Sequence, residues 1–124
     1  MSINIGMQMS DIEIESELVN FVHNVKLTSQ VWVLGADDDG VVVCESNHYD
    51  NTDVLLIWDN ESHARAQCKD EWQNYQPVLI ELNELLDDWV EDLNEDKALF
   101  GLNWNDDNVC IEIEPTGLAR ALTD

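Results

Sequence analysis

Three short runs of apolar residues constrain the fold of this chain most strongly. They are VWVL at 31–34, VVVCE at 41–45 and DVLLIW at 53–58. Their β-branched and aromatic residues are typical of strands, and apolar residues at successive positions indicate strands covered on both faces. GADDDG joins the first two runs, and its Asp39-Gly40 pair favours a tight hairpin turn. The sequence therefore predicts a sheet that is covered on both of its faces.

Two helices are predicted around these strands. From Ile12 to Val25 the apolar residues recur at helical spacing, which predicts an amphipathic first helix. In DNESHARAQCKDEW at 59–72, Asp59 or Asn60 can cap a second helix by accepting a hydrogen bond from its first turn. One face of this second helix is expected to carry Ala64, Cys68 and Trp72.

The second half of the chain continues the alternation of strands and helices. QPVLIEL at 76–82 predicts a strand, because Pro77 is tolerated at a strand start. A helix follows, with Asn83 as its predicted cap. ALFGLNW and NVCIEIE bracket NDD and predict a second hairpin. Pro115 suits the first turn of a short final helix that ends near Leu122.

These elements predict a single α/β domain of the α+β type. The 124 residues suit one domain, which is expected to span 11–124 after a loosely ordered start at residues 1–10. The pattern predicts a mostly antiparallel or mixed sheet of about six strands, with about four helices.

The charge of the chain excludes several classes of partner. Asp and Glu number 27 against 5 Lys and Arg, which gives a formal net charge of -22. Such a field repels nucleic acid and anionic lipid, so neither is expected to bind directly. No run approaches the roughly 18 apolar residues of a membrane span, and the first residues do not form a secretory signal. The three cysteines lack framework spacing and are expected to be reduced thiols in the cytoplasm.

Residues 83–97, NELLDDWVEDLNEDK, combine core and acidic surface in one predicted helix. Its apolar stripe consists of Leu82, Leu85, Leu86, Trp89, Val90 and Leu93. The opposite side carries Glu84, Asp88, Glu91 and Glu95, at spacings of 4, 3 and 4. Each like-charged pair costs about 0.2–0.5 kcal/mol, whereas burying one leucine contributes about 1.5–3 kcal/mol, so the apolar stripe stabilises the helix despite the repulsion.

The phase of this helix predicts which of its side chains are buried. We expect Leu86, Trp89 and Leu93 to be buried and Glu84, Asp88 and Glu91 to be exposed. Trp58, at the end of the apolar run 53–58, is also expected to be buried. The acids of the helix, with Asp106 and Asp107 in the second hairpin, form a candidate surface for a basic protein.

A zinc site is not expected, although the chain offers four candidate ligands. These are Cys44, His48, His63 and Cys68. On a helix, His63 and Cys68 would stand about 140° apart, whereas ligand pairs need a spacing of three or four residues. Cys44 lies in an apolar run, where a free cysteine usually packs as a small apolar residue. We therefore predict no metal and no cofactor.

No motif in the sequence indicates catalysis. The EF-hand pattern fails at Gly35 and Ser46, where it requires Asp and Glu. The local cysteine–histidine pairs lack a nucleophile elbow or a protease signature, and there is no Gly-rich phosphate loop. The sequence therefore favours a protein that is not an enzyme. A small enzyme or ligand-binding domain with a pocket that the sequence does not show remains an alternative.

Trp104 is the tryptophan that is predicted to be exposed. The other four lie in or beside apolar periodic runs and are expected to belong to the core. Trp104 lies near the turn of the second hairpin, in LNWNDDN. Because tryptophan is enriched at interface hot spots, Trp104 is a candidate partner contact.

Several of these segments resemble a known family. VWVL, the acidic turn with glycine, and LLIWD-x-E leading to EW are followed by QPVLIELNELLDDWVEDL and by IEIEP with LARAL. Together they resemble a bacterial family of short uncharacterised proteins, a domain of unknown function, over about residues 17–122. The order of elements is more distantly similar to the SseB-like domain. Both resemblances imply a fold, and neither implies catalytic residues or a partner.

Three functions from different classes follow from the sequence. The first is an acidic cytoplasmic interaction module for a cationic protein, either an antitoxin or immunity-like protein or a mimic of the DNA backbone. The second is the enzyme or ligand-binding domain mentioned above. The third is an ordinary domain whose acidity reflects only a salty habitat. Habitat acidity would be spread over all exposed positions, whereas an interaction surface concentrates it.

Overall fold

A computed structural model describes residues 11–36, 40–46, 49–106 and 110–123, without the side chains of 11–14. The expected loose start at residues 1–10 and the candidate Asp107 lie outside the described residues. The helices are α1 (Asp11–Thr28), α2 (Glu61–Ala66), α3 (Leu82–Glu84, Leu85–Trp89 and Val90–Glu95 in succession) and α4 (Pro115–Thr123). The strands are β1 (Gln30–Ala36), β2 (Gly40–Val41), β3 (Val43–Glu45), β4 (Asp53–Ile57), β5 (Gln76–Glu81), β6 (Leu99–Leu102) and β7 (Ile111–Ile113).

The described strands form two sheets. The first has the order β2-β1-β5 and is antiparallel throughout. The second has the order β3-β4-β6-β7 and is mixed, because β4 and β6 are parallel. The fold class is therefore α+β, as the sequence predicts, with seven strands and four helices in the part of the chain described.

The two sheets are joined where β1 approaches β4. Trp32 and Trp58 exchange two backbone hydrogen bonds of 2.8 Å. Further along, Val42 is inserted between the two strands: its N–H donates to the carbonyl of Leu34 at 3.0 Å, and its carbonyl accepts from the N–H of Leu56 at 3.4 Å. The segment 40–45 thus crosses from one sheet to the other, which is why a run predicted as one strand appears as β2 and β3.

The core has one apolar cluster on each side of the sheets. The first cluster joins the sheets to α1, α3 and α4, and it includes Phe21, Leu85 and Leu118 with no exposed surface. The second cluster contains Trp58 and Ala64, together with the partly buried Trp72 of a short turn at Asp70–Trp72. In β4, Leu55 and Ile57 belong to the first cluster while Val54 and Leu56 belong to the second. Coverage on both faces is thus confirmed for β1 and β4. It is wrong for the run 41–45, because Val43 of β3 is 49% exposed.

Helix α2 is shorter than predicted. The cap at Asn60 is confirmed, because its side-chain oxygen accepts hydrogen bonds from the N–H groups of Ser62 at 2.7 Å and His63 at 3.2 Å. The helix nevertheless ends at Ala66, and Asp70 adopts a left-handed backbone with φ of 53°. An α-helix cannot continue through that conformation. The prediction of one helix through Trp72 is therefore wrong.

Helix α3 contains a π-helical turn at Leu85–Trp89, in which the N–H of Val90 donates to the carbonyl of Leu85. A π-turn aligns residues five apart, so Leu85 and Val90 are the buried residues, while Leu86, Trp89 and Leu93 are only partly buried. The prediction that those three side chains are buried is wrong for this reason.

Other predictions for this region have mixed outcomes. Burial of Trp58 is confirmed. Helix α3 begins at Leu82 with Glu81 at the cap position, so the predicted cap at Asn83 is wrong. The β6–β7 hairpin and the start of α4 at Pro115 are confirmed. No helix in the described ranges combines the length and the apolar character needed to cross a membrane.

Candidate functional site

Helix α3 and its C-cap residue Asp96 carry a dense set of exposed carboxylates, called here the α3 acidic face. Its members are Glu84, Asp87, Asp88, Glu91, Asp92, Glu95 and Asp96, and all seven are exposed. The ion pairs between described residues are Arg65–Glu61, Lys69–Asp106 and a longer His63–Asp59 contact. No ion pair among the described residues therefore neutralises any member of the α3 acidic face. The predicted exposure of Glu84, Asp88 and Glu91 is confirmed.

The π-turn changes the arrangement of these acids from the one that the sequence predicts. One extra residue in a turn rotates the following residues by about 100° relative to a regular α-helix. Glu84 consequently lies beside Trp89, whose indole N–H donates to its Oε2 at 3.5 Å. Glu91 and Glu95 keep the spacing of one α-helical turn, because Val90–Glu95 is regular helix. The acids thus form a broad face rather than one continuous stripe.

Trp104 lies elsewhere, on the side of the sheets opposite α3. It is half-buried rather than exposed and belongs to the second core cluster. Its ring packs edge-to-face on Trp72, with centroids 5.8 Å apart and an interplanar angle of 61°. Its carbonyl accepts a 2.9 Å hydrogen bond from the indole N–H of Trp58. These contacts fix Trp104 as part of the core packing.

Asp106 is exposed, but its charge is balanced. The Lys69 ammonium donates to Oδ1 at 2.8 Å, and the Gln67 amide donates to the same oxygen at 3.1 Å. These hydrogen bonds and the charge of Lys69 hold the pKa of Asp106 below its usual value, and Asp106 raises the pKa of Lys69. The sequence suggests one surface that combines Trp104 and Asp106 with the acids of α3. The structure does not bring these two residues together with the α3 acidic face.

The three cysteines are poorly suited to nucleophilic chemistry. All are free and partly buried. Burial is the main cause that raises the pKa of each thiol, and for Cys110, with Glu112 and Cys44 contributing, it reaches about 12. Since the thiolate is the reactive form, these thiols are weak nucleophiles at neutral pH. Within the described ranges no group of three or more His, Cys, Asp or Glu is placed to hold a metal ion, and His48 lies outside those ranges.

A buried polar cluster follows the parallel strands β4 and β6, and the sequence did not indicate it. Asp59 is 7% exposed; its Oδ2 accepts from the Asn24 amide at 2.9 Å, and its N–H donates to Oδ1 of Asn103 at 3.1 Å. Its Oδ1 has no hydrogen-bond partner and lies 3.9 Å from Nδ1 of His63. These partners are 35 and 44 residues away in the chain, so no local pattern could have shown them.

A groove beside α4 was also missed. It lies between the loop before β4, the α3–β6 junction and the first turns of α4, and its volume is about 720 Å³. Lys97 and Arg120 both line it, as do Glu112, Glu114, Thr116 and Gly117. We call it the α4 groove. Its lining comes from distant segments, so it could be recognised only after folding.

Comparison with known families gives one result. Residues 18–122 match the model of a family described as "Protein of unknown function (DUF2750)". This range agrees with the extent of the resemblance seen in the sequence. The match carries no information on the SseB-like domain, which stays a prediction. No curated protein matches the chain.

Proposed function

Since the chain belongs to the DUF2750 family, which is defined without a function, we propose a function from its own surface chemistry. The proposal is a cytoplasmic interaction module whose α3 acidic face binds a cationic protein. The observation that carries it is that seven exposed carboxylates lie on one helix and at its C-cap, while no described cation forms an ion pair with any of them.

Three acids elsewhere in the described chain have contacts that stabilise their charge. Glu61 pairs with Arg65 at 2.7 Å, Asp106 pairs with Lys69, and Asp59 is buried with a hydrogen bond from Asn24. The α3 acidic face has only the long contact between Trp89 and Glu84. The exposed Glu15, Glu17, Glu45 and Glu71 likewise form no ion pair with a described residue. The support for an interaction surface is therefore the density of carboxylates on α3, where seven lie within residues 84–96.

Electrostatics determines what such a face does. Its negative potential extends about 8 Å into solution at physiological ionic strength. Complementary charge accelerates encounter more than it tightens the final complex. The π-turn supports the same assignment, because π-turns inside α-helices are frequent at functional sites. It also interrupts the regular acid spacing that a mimic of the DNA backbone requires, so we favour a general basic-protein partner.

Affinity capture from a native lysate tests this proposal with a matched control. The test variant carries Glu84→Gln, Asp88→Asn, Glu91→Gln and Glu95→Gln. The control variant replaces Glu15, Glu17, Glu45 and Glu71 by Gln; these four are exposed and lie outside α3. Each variant removes four charges and changes the net charge from -22 to -18.

The proposal expects a basic protein that the parent and the control variant retain at low salt and that the α3 variant loses. Washing with high salt should release it from the parent and from the control variant. If the α3 variant retains the same basic proteins as the control, or if the parent enriches none, the α3 acidic face is only a solvated surface and the proposal fails.

A further inference from the structure

The pairing of the basic residues points to a second binding site. The chain has 5 Lys and Arg among 27 Asp and Glu. Arg65 pairs with Glu61, and Lys69 pairs with Asp106. Lys97 and Arg120 form no ion pair with any carboxylate of the described chain, despite the large excess of acids. Both of them line the α4 groove.

The fold brings these two cations to one place from separate elements. Lys97 lies in the tight connection between α3 and β6 and has a left-handed backbone with φ of 58°. Arg120 lies on α4, one helical turn after Thr116, which also lines the groove. The connection and the helix are held in place by the β6–β7 pairing, since β6 follows Lys97 and β7 precedes α4.

The remaining lining supplies further groups that suit an oxyanion. The first N–H groups of an α-helix have no acceptor within the helix, and those of Thr116 and Gly117 are at this position in α4. A guanidinium binds carboxylate or phosphate through two parallel hydrogen bonds, and a lysine ammonium adds a point charge. Glu112, a carboxylate of the lining, already accepts a hydrogen bond from the Ser46 hydroxyl. Glu114 is the exposed acid of the lining.

We propose that the α4 groove binds a small organic molecule through an oxyanion group, a carboxylate or a phosphate, held by Lys97 and Arg120. A local site of this kind is needed because the net charge of the chain repels anions at long range. The same repulsion gives selectivity, since a polyanion such as nucleic acid meets the whole field whereas a small anion meets the groove. The volume of about 720 Å³ is in the range of small-molecule sites.

Titration of the ¹⁵N-labelled protein with inorganic phosphate and with acetate, followed by NMR, tests the proposal. Sodium chloride at matched ionic strength corrects for screening. At least one oxyanion should produce saturable shifts of the Thr116 and Gly117 amides that chloride does not produce. Saturation by acetate alone identifies a carboxylate ligand, and saturation by phosphate alone identifies a phosphate ligand.

Two groove variants and one control complete the experiment. Arg120→Gln and Lys97→Asn should each weaken binding by tenfold or more; Asn is chosen because it tolerates the left-handed backbone at this position. Arg65→Gln removes one cation outside the groove and should change binding by less than about twofold. The spectrum of each variant reports on its fold. Shifts that do not saturate, or equal binding by all three variants, would overturn the proposal.

Discussion

Gly101 is the residue at which one added methyl group should be most damaging. It lies in β6 beside Leu56 of the parallel strand β4. A Cβ at this position would stand 2.7 Å from Cγ1 of Val54, 2.8 Å from Cδ2 of Leu56 and 3.0 Å from Sγ of Cys110. Val54 and Leu56 are at most 1% exposed, so neither can move into solvent. Gly101→Ala must therefore displace side chains in the second core cluster.

The size of the effect follows from two opposing terms. Overpacking of a core costs about 1–3 kcal/mol of folding stability. Alanine in place of glycine also reduces the conformational entropy of the unfolded chain, which stabilises the fold by about 0.4–1 kcal/mol. From the midpoints of the two ranges, the net loss should be about 1.3 kcal/mol. An unfolding entropy of about 2.1 cal/mol/K per residue converts each kcal/mol to roughly 4 °C, so we expect the Tm to fall by about 5 °C.

Gly117→Ala is the matched control. Its Cβ would meet Cγ1 of Ile113 at 3.5 Å, which is ordinary contact, and its helical position favours alanine by about 0.5–1 kcal/mol. Thermal unfolding followed by circular dichroism should therefore show a raised Tm for Gly117→Ala and a lowered one for Gly101→Ala. A Gly101→Ala protein as stable as the parent would refute the described packing of β4 and β6.

Three further predictions concern stability. Leu85→Ala should cost about 2–5 kcal/mol and Leu86→Ala clearly less, as measured by urea unfolding, because the π-turn buries only the first leucine; the reverse order would contradict that turn. Asn60→Ala should cost about 1 kcal/mol through loss of the α2 cap, and an unchanged urea midpoint would disprove the cap's contribution. The folded-state pKa of Cys110, about 12, exceeds the ordinary 9.0, so stability present below pH 9 should be lost as pH rises, by about 1.4 kcal/mol at pH 10. Urea unfolding at pH 7.5 and pH 10 should show that loss in the parent but not in Cys110→Ser. If the free energy of unfolding falls equally in both proteins between these pH values, Cys110 is not the cause.

The sequence predicted elements whose signals are local. The apolar runs at 31–34 and 53–58 identify strands covered on both faces. Asn60 is identified as a cap because its hydrogen bonds reach residues two and three positions away. Pro115 marks the start of α4 because proline suits the first position of a helix, where its missing N–H has no partner to lose. These features depend on a few neighbouring residues, and each was confirmed.

Predictions failed where tertiary contacts or irregular backbone decide the structure. A regular 3.6-residue period places Leu86 and Trp89 in the core together with Leu85 and Val90. The π-turn leaves Leu86 and Trp89 only partly buried, whereas Leu85 and Val90 are buried. Trp104 has a loop-like local sequence, yet its burial depends on Trp58 and Trp72 from distant parts of the chain.

Some candidate sites can be found from local sequence, whereas others form only through tertiary contacts. The acids of α3 can be found from the sequence because they all lie within residues 84–96. The Asp59 cluster and the α4 groove could not, since their residues meet only through the order of β4, β6 and β7. The balance of Asp106 by Lys69 is likewise a contact between residues 37 positions apart.

The most direct test of the central claim is the association rate of the captured basic protein, measured by stopped-flow at several salt concentrations. The parent and the control variant should bind at rates within about twofold of each other, and both rates should fall steeply as salt is added. The α3 variant should associate at least tenfold more slowly at low salt and depend less on salt. Equal rates for the α3 variant and the control, which carry the same net charge, would show that the α3 acidic face does not direct binding.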